Sequence, residues 1–187
     1  MIFDDDALPN LEEISRELIN GLSNELGNTD QRLNKPWTKA VNARLSKIGR
    51  RQGMLVCCRG CQEHGEWLLD VVWMLTDQHK IVLAVESEWG GLPAIEDDFD
   101  KLMSIKSPRK LMLFETNNNQ GYKEILERLE INMKDYPYHI AGEDYMALEI
   151  TAPAAFRYHF HVPSDGKLQE VHFEKIQEVP WPWNRQP

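Results

Sequence analysis

Cysteine is scarce in this 187-residue chain: three residues, Cys57, Cys58 and Cys61, all in one short segment. An odd, clustered set cannot staple a small secreted scaffold. Reduced thiols in a cytoplasmic setting are the expectation. Long apolar runs are missing too. None approaches the roughly 20 residues needed to cross a bilayer, and the N-terminus, Met1-Ile2-Phe3-Asp4-Asp5-Asp6, is acidic where a secretory leader is basic. A membrane span and a cleaved leader are therefore not expected. Acidic residues are absent between Asp30 and Glu63, although the chain carries 30 acids against 21 bases. That segment holds Arg32, Lys35, Lys39, Arg44, Lys47, Arg50, Arg51 and Arg59. With a net charge of −9, its +8 leaves −17 on the remainder. The pattern is one positive face on an acidic protein, either a nucleic-acid surface or an ordinary solvated helix face.

What is present is enough to fold. Hydrophobic residues make up 42% and charged residues 27%, which suits one packed domain over 1–187. Leu11, Ile14, Leu18, Leu22 and Leu26 recur at helical spacing, predicting an amphipathic helix over 9–26 that ends at Gly27-Asn28. Asn34 is a good N-cap for a second helix, with Pro36 in its first turn and Trp37, Val41, Leu45 and Ile48 as its buried stripe. Apolar runs at 54–58, 66–76 and 80–89 read as three strands, apolar on both faces as a sheet covered by helices requires. A helix over 95–106, with Ile95, Phe99, Leu102 and Ile105 inward, precedes a fourth strand at 109–114. Further on, 122–136 reads as a helix and 145–151 with 156–162 as a hairpin. The tail from Val179 reads as an extended arm carrying Trp181 and Trp183.

Three acids stand where a covered sheet should not have them: Asp70, Glu86 and Glu88. A buried ionised carboxylate costs several kcal/mol unless paired or bound to metal. The link Asp77-Gln78-His79 is short, so the second and third strands should pair antiparallel. Pairing Thr76 with Lys80 sets Asp70 opposite Glu86 and Leu68 opposite Glu88. Carboxylates about 4.5–5.5 Å apart at Cβ repel when ionised, or bracket a divalent cation. Hard oxygen donors suit Mg²⁺ or Mn²⁺, ions that assist phosphodiester hydrolysis. Strand-end acids facing solvent, or paired with Lys or Arg, are the plain alternative.

The order helix-strand-strand-strand-helix-strand, with Asp70, fifteen intervening residues and Glu86-Ser87-Glu88, resembles the PD-(D/E)XK nuclease superfamily. The resemblance covers 34–115. It implies an α/β restriction-endonuclease-like core, a central mixed sheet with helices on both faces, here joined to an N-terminal helix (1–30) and a C-terminal helix, hairpin and tail (116–187). It implies metal ligation by Asp70 and Glu86. Glu88 stands where the family usually has Lys, and Leu69 stands where it has Pro. Glu88 would then position the water or ligate a second ion, and Lys101 from the following helix would supply the missing ammonium. Glu66 would be an outer-sphere acid. Arg44, Lys47, Arg50 and Arg51 would contact the nucleic-acid backbone, DNA rather than RNA, without reading sequence. Duplex cleavage implies a homodimer, with the leucine-striped first helix as one interface. The other reading is a catalytically inactive copy of the fold acting as a protein-interaction or regulatory subunit.

Lesser features have plainer explanations. Cys58-x-x-Cys61-x-x-His64 has zinc-like spacing, but no second pair completes four ligands. A tight turn with reduced thiols is the expectation. Arg157, His159 and His161 should share one exposed polar face of the last hairpin. Trp73 and Trp89 read as packing residues.

Overall fold

The computed structural model describes residues 8–26, 34–61, 67–76, 80–115, 119–151, 154–163 and 165–178. At 23–26, 34–36, 119–122, 151, 170–173 and 175–178 it describes the backbone only. Seven strands form one mixed sheet in chain order: β1 (Leu55–Cys58), β2 (Val71–Met74), β3 (Ile81–Glu88), β4 (Arg109–Phe114), β5 (Asp144–Thr151), β6 (Ala154–His161) and β7 (Gln169–Glu178). Among the described residues four helices accompany them: α1 (Leu11–Leu26), α2 (Asn34–Arg51), α3 (Leu92–Ser104) and α4 (Asn119–Asp135). The chain is thus α/β. β3, β4 and β5 run parallel because α3 and α4 carry the chain back across the sheet, and the other neighbours are antiparallel.

The helices divide between the two faces. The stripes Leu11, Ile14, Leu18, Leu22 of α1 and Trp37, Val41, Leu45, Ile48 of α2 pack with Val56, Trp73, Leu83, Val85, Leu111 and Met146. Ile95, Phe99 and Leu102 of α3 and Leu129 and Met133 of α4 pack with Val72, Ala84, Met112, Tyr145 and Phe160 on the other face. The leucine stripe of α1 is therefore spent inside the chain, which corrects its reading as a dimer interface. Asn10 caps α1, its Oδ1 accepting from Glu12 N (2.9 Å) and Glu13 N (3.2 Å). Gly49 is fixed by packing, because a Cβ there would meet Trp73 Cε2 at 2.7 Å. Trp73 and Trp89 are core residues, as expected, and Trp89 stacks at a tilt on Trp37, centroids 5.3 Å apart.

Several boundaries and contacts differ from the sequence reading. β2 starts at Val71 instead of Glu66, and Trp67 and Leu68, expected inside, are 52% and 74% exposed. β7 has no counterpart in the sequence reading. Arg157 is buried where an exposed strand face was expected, because α1 and β7 cover it; its Nη2 pairs with Glu12 (3.4 Å) and with Glu174. Cys58 and Cys61 are joined as a disulfide, which corrects the expectation of reduced thiols. The expected stop Gly27-Asn28, His64, Pro153 and the tail with Trp181 and Trp183 lie outside the described residues.

One buried polar group fixes the α4–β5 connection. Lys110 on β4 is fully buried, and its ammonium has three partners: Glu143 Oε1 (2.7 Å), Tyr145 OH (2.8 Å) and Met103 O (3.5 Å). Glu143 Oε2 in turn accepts from Tyr145 OH (2.9 Å) and Ile140 N (3.1 Å). Burial pushes the Lys110 ammonium below its ordinary pKa, against the pull of Glu143. Every proton of the ammonium is matched, so the pair is tolerated; removing one partner strands the other. Lys110→Ala is expected to lower stability by about 3–5 kcal/mol in urea unfolding of the full chain. A loss below about 1 kcal/mol, the scale of a solvent-exposed pair, would show that water reaches Glu143.

Candidate functional site

The site rests on the β2–β3 ladder. Val71 pairs with Val85, Val72 with Ala84 and Trp73 with Leu83; a bulge then shifts Met74 onto Ile81. The expected register holds next to the acids and slips by one toward the turn, whose residues 77–79 are outside the described set. One step beyond Val71 the regular pairing stops. Asp70 N donates to Glu86 Oε2 (3.2 Å). Asp70 Oδ2 accepts from Ser87 N (3.0 Å) and Ser87 Oγ (2.5 Å). The Asp70 side chain thus takes the place of a strand carbonyl at the end of the ladder. This is why β2 can begin late without stranding the Ser87 amide.

Asp70 and Glu86 are therefore in direct contact. Glu86 is only 4% exposed. Burial pushes its carboxyl up to about 8, helped by the negative charges of Asp70 and Asp98 and opposed by the Asp70 N–H and Lys101. Lys101 reaches over from α3, its Nζ 3.9 Å from Glu86 Oε1 and 2.5 Å from Asp98 Oδ1. The hydrogen bond to Asp98 holds the Lys101 ammonium above its ordinary pKa, and the Asp98, Glu86 and Asp70 charges add to it. Asp98 is the member that sequence reasoning left out of the site. Its signal is the three-residue step to Lys101 on the helix face that meets Glu86.

The other expected members are placed differently. Glu88 turns to the backbone of the loop before α3, its Oε1 accepting from Gly90 N at 2.5 Å. Among the described residues, no group of three or more His, Cys, Asp or Glu side chains is arranged to hold a metal ion. Glu88 Oε1 is thus engaged by the loop that follows the strand, apart from the contact between Asp70 and Glu86. Glu66 lies outside the described residues. Among the described residues, Asp70 and Glu86 are the two acids in direct contact and the two that could hold a cation. That number suits Mg²⁺, which usually takes one or two carboxylates and fills its remaining positions with water and phosphate oxygens.

The basic helix stands apart from this pair. α2 packs on the face of the sheet shared with α1, whereas Glu86 lies on the α3 face. Arg44 crosses to α1, donating to Glu17 Oε1 (3.1 Å) and Glu17 O (3.3 Å), and Arg51 pairs with the same carboxylate. The Arg51 hydrogen bond holds Glu17 below the usual carboxylate range. Lys47 and Arg50 are exposed on α2.

The raised Glu86 carboxyl makes stability depend on pH. Below about 4.5 it is protonated in the folded and unfolded chains alike. Between there and about 8 the unfolded chain releases the proton and the folded chain keeps it, so stability is lost as pH rises through that window. Thermal melts of the native chain should fall across this range more steeply than those of Glu86→Gln; parallel curves would contradict the assignment.

No family model matches this chain, and no curated protein or solved structure matches it.

Proposed function

We propose that this chain is a metal-dependent nuclease with a restriction-endonuclease-like core, hydrolysing phosphodiester bonds in nucleic acid, DNA in preference to RNA. One observation carries the reading. Glu86 is buried beside a second carboxylate with a lysine above it, an arrangement that disfavours its ionised form and that a cation with its phosphate would relieve. Asp70 and Glu86 would hold Mg²⁺ or Mn²⁺, which supplies charge neutralisation at the phosphate and an activated water. To hold the cation Glu86 would have to release the proton that burial makes it keep. Lys101, more exposed than Glu86, leans toward the phosphate. Glu88, on the strand end beyond Glu86, helps to order the attacking water. Lys47 and Arg50 reach the nucleic-acid backbone away from the cleaved bond, with Arg44 and Arg51 setting the α1–α2 scaffold from which they project. Cutting both strands of a duplex requires two such sites, hence a homodimer. The cytoplasm is the compartment in which such an enzyme meets its substrate.

A second reading is favoured by the hydrogen bonds that already occupy the acids. Asp70 is held by Ser87, Glu88 by Gly90 N, and Lys101 by Asp98. On that reading the fold is a catalytically inactive copy serving as a regulatory or interaction subunit. The readings separate on supercoiled plasmid. With Mg²⁺ or Mn²⁺ the native chain should nick it and Glu86→Ala should not. Absence of nicking by both, with no heat of metal binding by calorimetry, favours the inactive copy.

A further inference from the structure

Ser46, Cys58 and Cys61 form a group that phosphodiester hydrolysis does not use. Cys58-Arg59-Gly60-Cys61 closes a turn directly after β1, with Cys61 N donating to Cys58 O (3.1 Å). Gly60 sits at φ +80°, in the left-handed region that glycine enters without strain. The two cysteines form a disulfide with Cα atoms 5.2 Å apart. On α2, Ser46 Oγ lies 3.2 Å from Cys58 Sγ and 3.1 Å from Cys61 Sγ. Disulfide sulfurs carry no proton, so the serine hydroxyl is the donor.

Two features set this bridge apart from a structural staple. It joins residues only 3 apart in sequence, the loop length for which a crosslink removes least entropy from the unfolded chain. Its sulfurs are also unequal: Cys58 is 2% exposed, whereas Cys61 is half-buried at the surface end of the turn. Cys57 takes no part. It faces the opposite core, and burial pushes its thiol up.

We propose that Cys58 and Cys61 are a thiol–disulfide exchange site for small external thiols, with Cys61 as the attacked sulfur, Cys58 as the leaving sulfur and Ser46 as the hydroxyl that receives the leaving thiolate. An external thiolate attacks Cys61 Sγ, the bond between the cysteines breaks, and its electron pair leaves on Cys58 Sγ, where the Ser46 hydroxyl donates to the new anion. A second external thiol attacks the outer sulfur of the mixed disulfide and releases Cys61 as a thiolate. The external pair departs as its disulfide, and the protein has gained two electrons and, at neutral pH, two protons. The reverse sequence oxidises the pair. Exchange of this kind is what a disulfide does in a reducing compartment. Cys58 pairs with Val71, the residue after Asp70, so the exchange site adjoins the strand end that carries the carboxylates.

The test uses the folded full-length chain, equilibrated in mixtures of oxidised and reduced glutathione, quenched with a maleimide and mapped by peptide mass. Cys58 and Cys61 should become alkylated together as the reduced fraction rises, with Cys57 protected until denaturant is added. Cys58→Ser should trap a stable glutathione adduct on Cys61. Ser46→Ala should slow reduction of the bridge about tenfold, the effect of losing one hydrogen bond to a charged group. A bridge that resists excess glutathione in the folded chain would make it a structural staple and overturn the proposal. Failure of the pair to oxidise at all, or an adduct at Cys58 in the native chain, would also overturn it. Circular dichroism confirms that each variant is folded before it is scored.

Discussion

Everything at the candidate site follows from how β2 ends against β3. The pairing of Val71 with Val85 leaves Asp70 as the first residue past the ladder, and its carboxylate replaces a backbone carbonyl as acceptor for the Ser87 amide. The Asp70 amide then turns to Glu86 Oε2. A buried glutamate and an aspartate are thus locked together by the need to satisfy two backbone amides, and electrostatic repulsion between them is the consequence. Burial pushes the Glu86 carboxyl well above the usual carboxylate range, and the Asp70 charge adds to that shift.

The surroundings keep this arrangement rigid. Two separate apolar layers clamp the sheet, α1 and α2 on one face and α3 and α4 on the other. α3 brings Asp98 and Lys101 over Glu86 because its apolar stripe, Ile95, Phe99 and Leu102, must face the sheet. The same logic holds Arg44, which reaches Glu17 through the space above Gly21 on α1, where any Cβ would collide with the guanidinium. Positive charge on α2 is therefore partly structural. The Lys110–Glu143–Tyr145 group shows how a charge in this interior is made tolerable, by matching every polar atom. Glu86 is compensated only in part, by the Asp70 N–H and by Lys101.

Much of the fold was legible because its elements are marked by long apolar patterns. The α2 start at Asn34, the fourth strand at Arg109 and the β2–β3 register beside Val71 all follow from the spacing of apolar residues and from one short connection. Other features were hidden for physical reasons. Trp67, Leu68 and Leu69 look like strand, but only Leu69 is buried, because Asp70 ends the ladder with its side chain. β7 alternates polar and apolar residues too sparsely to announce itself, and Arg157 is buried only because that strand and α1 cover it. The meeting of Asp70 with Glu86 was legible from register. The diversion of Glu88 to Gly90 N was not, since strand alternation places it beside Glu86 until the following loop is known.

Glu86 keeps a proton near neutrality because it is buried beside Asp70, and on the proposed function a cation would displace that proton. Its side-chain carboxyl can be followed directly by carbon-13 NMR through a pH titration, with and without Mg²⁺. A midpoint near 8 in the metal-free chain, falling into the ordinary carboxylate range when Mg²⁺ is added, is the expected result. A midpoint near 4.5, the ordinary value for a glutamate carboxyl, or one near 8 that Mg²⁺ leaves unmoved, would contradict it.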